Sequence, residues 1–142
     1  MALTGVPWTT GGDDVYEDWY LVQDFAALGI LNDAAVSASR AVPHDAAAAL
    51  ASGGIGGLYR LRQGVVTQPR VAHWFSKPDG MPYRTLFAQL APVVEQCDGA
   101  LWMRQLVLGP APEFCLHSGT TVSLAAELSP LVMPLRTVWP SP

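Results

Sequence analysis

The groups able to do chemistry in this chain are few: three histidines (His44, His73, His117), two cysteines (Cys97, Cys115) and eight scattered lysines and arginines. The densest group runs from His73 through Trp74 and Lys77 to Pro78, Asp79 and Gly80. Side chains alternate along a strand, so His73, Phe75 and Lys77 share one side of VAHWFSK. An imidazole titrates near neutrality and can take a proton or orient a carbonyl. Arg104 sits between apolar neighbours in ALWMRQLVLG. A buried guanidinium needs a carboxylate, a ligand anion or several carbonyls. Glu17, Asp18, Asp24 and Glu113 are the carboxylates available to it. The catalytic set expected from the residues alone is His73 as base, Arg104 as anion anchor and Lys77 beside them. The competing accounts are a core histidine bonded to the backbone and a structural ion pair or dimer contact.

The remaining candidates carry less. Cys115 and His117 are two apart and share a face if CLHSG is extended, but a nucleophile pair also needs an orienting group. His44 and Asp45 are adjacent and do not face each other on a helix, so capping of a second helix after Pro43 explains them more simply. Arg60 and Arg62 share a strand face and are either solvated or allied to Arg104. No CxxC, HExxH, GxxxxGK[ST] or GxSxG occurs, and GGIGG is not followed by a helix, as a dinucleotide loop would be. Neither a metal site nor a cofactor is expected.

Composition narrows the classes. Half of the 142 residues are apolar and only 14% are charged, against about 25% in average proteins. Part of that apolar excess belongs in a subunit interface. Net charge is −4 and there is no basic run, which disfavours nucleic acid and anionic membranes. No apolar stretch approaches the roughly 20 residues that span a bilayer, and MALTGVPWTTGGDD has no signal-peptide pattern. A cytoplasmic location is expected.

The elements follow from periodicity. Residues 1–15 read as an irregular arm pinned by Trp8. YEDWYLVQD, residues 16–24, reads as a strand, with Asp24 placed to cap a helix over FAALGILNDAAVSASR. Pro43 should break that helix, which HDAAAALAS resumes and Gly53-Gly54 stop. GLYRLRQG (57–64) and VAHWFSK (71–77) read as an antiparallel hairpin. Leu86, Leu90, Val93, Val94 and Cys97 form an apolar helical stripe kinked at Pro92 and stopped at Gly99. ALWMRQLVLG (100–109) is a strand apolar on both faces. EFCLHSG reads as an added edge strand, TVSLAAELSP as a short helix, and the tail after Met133 as a surface wrap. One domain over residues 1–142 results: the arm 1–15, a βαββαβ core over 16–109 and a C-terminal extension over 110–142. The class is α+β, a ferredoxin-like antiparallel sheet with helices on one face.

That order, the size and the two-faced last strand resemble the dimeric α+β barrel superfamily. DWYLVQDFAALGILNDAAV, HWFSKPDGMPY and LWMRQLVLGPAPEFCL look like signature stretches of an uncharacterised bacterial group with this fold. The resemblance covers residues 16–116. It implies a homodimer joined through the open sheet face, with a barrel between the halves. Members include cofactor-free monooxygenases, isomerases, haem proteins and many of unknown role. Three functions follow as expectations. One is an unassigned homodimeric domain. Another is a small cofactor-free enzyme acting on an apolar acidic compound through His73 and Arg104. The third is a binding protein for a hydrophobic ligand or for haem, held by His73 or His44.

Overall fold

The computed structural model describes residues 2–3, 6–8 and 15–138. A short ribbon pairs β1 (Ala2–Leu3) with β2 (Val15–Tyr16). Two helices follow, α1 (Phe25–Ala35) and α2 (Ala38–Ala48). Next come β3 (Gly56–Gly64), β4 (Val71–Phe75), α3 (Tyr83–Gln96), β5 (Ala100–Leu108), β6 (Phe114–Ser118), a single 3-10 turn at Ala126–Leu128, and β7 (Leu131–Pro134). The class is α+β, and β3 to β7 form one antiparallel sheet in the order β3-β5-β6-β4-β7.

That order corrects the expected hairpin. β5 and β6 lie between β3 and β4, and β3 pairs only with β5 among the described residues. β6 is not an edge strand: it runs between β5 and β4, and all five of its residues are buried. Since β4 and β5 are each antiparallel to β6, they are parallel to each other. With α3 joining them they make a split βαβ unit, and β6 fills the gap. The position expected for residues 16–24 is thus taken by 114–118. β7 adds an edge next to β4, over residues 131–134, where no strand was expected.

Each sheet face has its own core. On one, Phe75, Leu101, Phe114 and Leu116 pack against Leu86, Leu90 and Val94 of α3. These three are the heart of the stripe seen in the sequence, each worth about 1.5–3 kcal/mol on burial. A Pro-Asp-Gly turn leads into the helix: Met81 N–H donates to Pro78 O at 3.2 Å, and Gly80 takes the positive φ of 76° that a type II turn requires. Asp98, not Gly99, adopts the left-handed conformation that ends α3, with φ 46°.

The other face carries Ala72, Trp74, Ala100, Trp102, Cys115 and Met133. Sequence reasoning left this face bare for a second copy. The chain covers much of it with its own N-terminal arm: Val6 is buried there, and Trp8, Val15 and Trp19 pack over it. Trp8 does pin the arm, edge-on to Trp74 at 5.4 Å. Residues 17–22 therefore run as a strap across the sheet, not as a strand within it.

Asp24 caps α1 as expected, its side chain accepting from Ala27 N–H at 2.8 Å. The helix breaks at Val36–Ser37, before Pro43, which is carried inside α2. His44 and Asp45 consequently sit in the interior of α2 and not at its start. No α1 residue is buried, and Phe25 and Ile30 are 74% and 72% exposed.

β3 closes onto the sheet at Gly64, whose φ is +89°. Val65 N–H donates to Gly99 O at 3.1 Å, and a Cβ on Gly64 would stand 1.8 Å from that oxygen. Gly64→Ala should therefore cost about 2 kcal/mol or more, read as a lowered urea midpoint with unchanged slope. Gly54→Ala, whose Cβ meets nothing within 4 Å, should shift stability by less than about 0.5 kcal/mol. Equal effects at the two positions would overturn this account of the β3 end.

Candidate functional site

β6 sets the site. Its alternation sends Phe114 and Leu116 toward α3 and Cys115 and His117 toward the arm. Cys115 is flanked by Trp102 on β5 and Trp74 on β4, while His117 is flanked by Ala100 and Ala72. The two alanines leave room for the imidazole, and the strap fills what remains. Trp19 lies edge-on to the His117 ring with centroids 4.8 Å apart, and 5.1 Å from Trp102.

Glu17 enters the same place from the strap. Its carboxylate accepts from Trp74 Nε1 at 3.1 Å and from Trp19 Nε1 at 3.2 Å. His117 Nε2 stands 3.4 Å from Glu17 Oε2 and is buried without a hydrogen bond. One ligand atom from each of Glu17, Cys115 and His117 lies within 4.8 Å of the others. Burial, reinforced by the Glu17 charge, pushes the Cys115 thiol well above its ordinary range. A thiol held protonated in this way is a poor nucleophile, so the three groups do not act as a Cys-His pair with an orienting acid.

Above this cluster opens a cleft of about 1150 Å³. Trp8, Trp19, Tyr59, Trp74 and Trp102 form its inner wall, and Phe25, Leu28 and Leu31 of α1 with the glycine-rich turn before β3 form the outer one. Helices thus border both sides of the sheet, not one. Tyr59 donates to Pro112 O at 2.8 Å, and burial raises its hydroxyl to about 12. The buried Trp102 Nε1–H lacks a hydrogen-bond partner.

The expected catalytic set lies elsewhere and is not brought together. His73 is fully buried on the α3 side. Val122 N–H donates to its Nε2 at 3.1 Å, so Nδ1 carries the proton and faces Leu116 O at 3.3 Å. With both nitrogens engaged, no lone pair is left for a substrate proton. Arg104 Nη1 donates to Ala111 O at 2.7 Å. Lys77 Nζ donates to Pro78 O at 3.1 Å and lies 5.3 Å from the Tyr83 ring centroid. Glu113 organises that corner, accepting from the Tyr83 hydroxyl and, at 3.3 Å, from Lys77 N–H. Arg62 stacks 4.3 Å over Phe87, and His44 is exposed beside Asp45. Glu17 entered the sequence argument only as a partner for Arg104. The signal for its role was its place two residues before Trp19, on the same side of an extended segment.

Comparison with known protein families, characterised proteins and solved structures finds no match to this chain.

Burial lowers the His73 pKa from 6.5; the Leu116 carbonyl opposes that shift and His117 adds to it. The unfolded chain therefore takes up a proton below pH 6.5 that the folded chain refuses. Its contribution is complete above pH 6.5 and is lost as pH falls toward the folded value. Urea midpoints measured down a pH series should fall more steeply in the parent than in His73→Gln. Parallel curves would mean that His73 titrates alike in both states.

Proposed function

We propose that this chain is a binding protein for a flat, apolar small molecule. The observation behind this reading is the cleft of about 1150 Å³ with a wall of five aromatic rings. Ligand sites are typically about 300–1,000 Å³, mostly apolar, with a few fixed polar groups. The polar edge of this cleft is supplied by the strap and by Arg60 and Gln105, which line it beside the rings. The aromatic wall favours a ring system, because offset and edge contacts between rings add to area burial. Haem held by His73 finds no support, since both nitrogens of that residue are engaged.

Four of the chain's five tryptophans line the cleft, so intrinsic fluorescence reads its occupancy. Titration with anthraldehyde, a flat ring system with one carbonyl, should quench it saturably at one molecule per chain. Trp102→Ala removes one ring of the wall and should weaken binding about tenfold. Leu28→Trp, which fills the cleft from α1, should abolish it. Absence of saturable quenching, or a dissociation constant unmoved by both changes, would refute the reading.

A second copy of the chain belongs to the same proposal, joined through α1 and α2 and so not sheet to sheet as a barrel would be. Its place differs from the one expected. The arm covers much of the Trp102 face, whereas Phe25, Ile30, Val36, Val42 and Leu50 on and around α1 and α2 are exposed. Large apolar patches on soluble chains mark interaction surfaces. Sedimentation equilibrium should give a dimer mass for the parent and a monomer mass for the Phe25→Ser, Ile30→Ser double variant. A monomeric parent would remove the homodimer.

A further inference from the structure

From the convergence of Glu17, Cys115 and His117 beneath the strap we infer a site for one divalent transition-metal cation of the zinc type. The three groups are of the kinds such ions take: a carboxylate, a thiolate and an imidazole. Their ligand atoms lie within 4.8 Å of one another. The 3.4 Å between His117 Nε2 and Glu17 Oε2 matches the edge of a tetrahedron around an ion bonded at about 2.0–2.1 Å. The imidazole nitrogen facing the carboxylate is buried and makes no hydrogen bond, and in the Nδ1–H tautomer it offers its lone pair to a cation.

The surroundings are those of an outer shell. Trp19 and Trp74 donate their indole N–H groups to the two oxygens of Glu17. Such contacts fix the direction of a carboxylate that ligates a metal. Ala72 and Ala100 hold the place open on either side of His117, and Trp19 roofs it. Charge balances as well: a thiolate and a carboxylate bring two negative charges, which one divalent ion cancels. Binding displaces the Cys115 proton to solvent, so affinity rises with pH. The other free thiol, Cys97, belongs to the C-cap of α3 and has no part in the site. Glu17 also lines the cleft, which gives the ion a route past the strap. The site does not depend on what the cleft binds.

The test is titration with cobalt(II) of purified, chelator-treated protein. A thiolate-to-cobalt charge-transfer band and the visible bands of a four-coordinate ion should appear at one ion per chain. Cobalt binding should release a proton, and zinc(II) should then bleach the bands by displacing cobalt with no further proton release. Cys115→Ser and Cys115→Ala should each remove the charge-transfer band, while Cys97→Ser keeps it. His117→Gln should weaken cobalt binding at least 100-fold. Circular dichroism matching the parent qualifies each variant. Failure to develop the band, its survival in both Cys115 variants, or its loss in Cys97→Ser would overturn the site. Anthraldehyde titration of the same samples tests the cleft separately, so one proposal can fail while the other stands.

Discussion

β6 is buried along its whole length and on both faces, and this burial constrains everything around it. A strand in that position must satisfy its backbone on both edges and cover its side chains on both sides. β5 and β4 supply the edges. α3 covers Phe114 and Leu116, and the strap covers Cys115 and His117. The first cover is a helix with one apolar stripe. The second is a short extended segment with no ladder of its own, so something other than backbone pairing must hold it down.

Glu17 provides that hold. A carboxylate in an apolar place is costly unless donors surround it, and Trp19 and Trp74 each supply one. The bonds join the strap to β4 at a point where shape alone would tolerate sliding. The same carboxylate then faces a buried imidazole and a buried thiol. Structural and chemical roles thus fall on one residue. The strap is placed by the same polar group that faces the buried thiol and imidazole.

Much of the regular structure was legible in the sequence, because it follows from local patterns. The stripe of Leu86, Leu90 and Val94, the Asp24 cap and the extended runs of β3, β4 and β5 all depend on residues near one another in the chain. What was not legible depends on partners far along it. FCLHS is apolar on both sides, a pattern that fits a central strand, but its lateness in the chain suggested an edge. Residues 16–24 alternate as a strand does, yet alternation cannot tell a strand from a strap lying on a sheet. Glu17 was the discriminating residue: an acid on the same side as Trp19 needs buried donors. The His73 expectation failed in a related way. Its two backbone partners, Leu116 and Val122, come from segments 43 and 49 residues away, and no spacing rule reaches that far.

The apolar excess of the composition resolves into two portions with different physics. One portion, the tryptophan-rich sheet face, is covered in large part within the chain by the arm and the strap. The other, on and around α1 and α2, stays exposed, and Phe25, Leu28 and Leu31 of α1 form the far wall of the cleft. A helix pair that gains little from its own sheet owes its place largely to what fills or covers the cleft. Any molecule that buried Phe25, Leu28 and Leu31 would favour the arrangement in which α1 borders the cleft. The cluster beneath the strap, by contrast, is already enclosed by the chain itself.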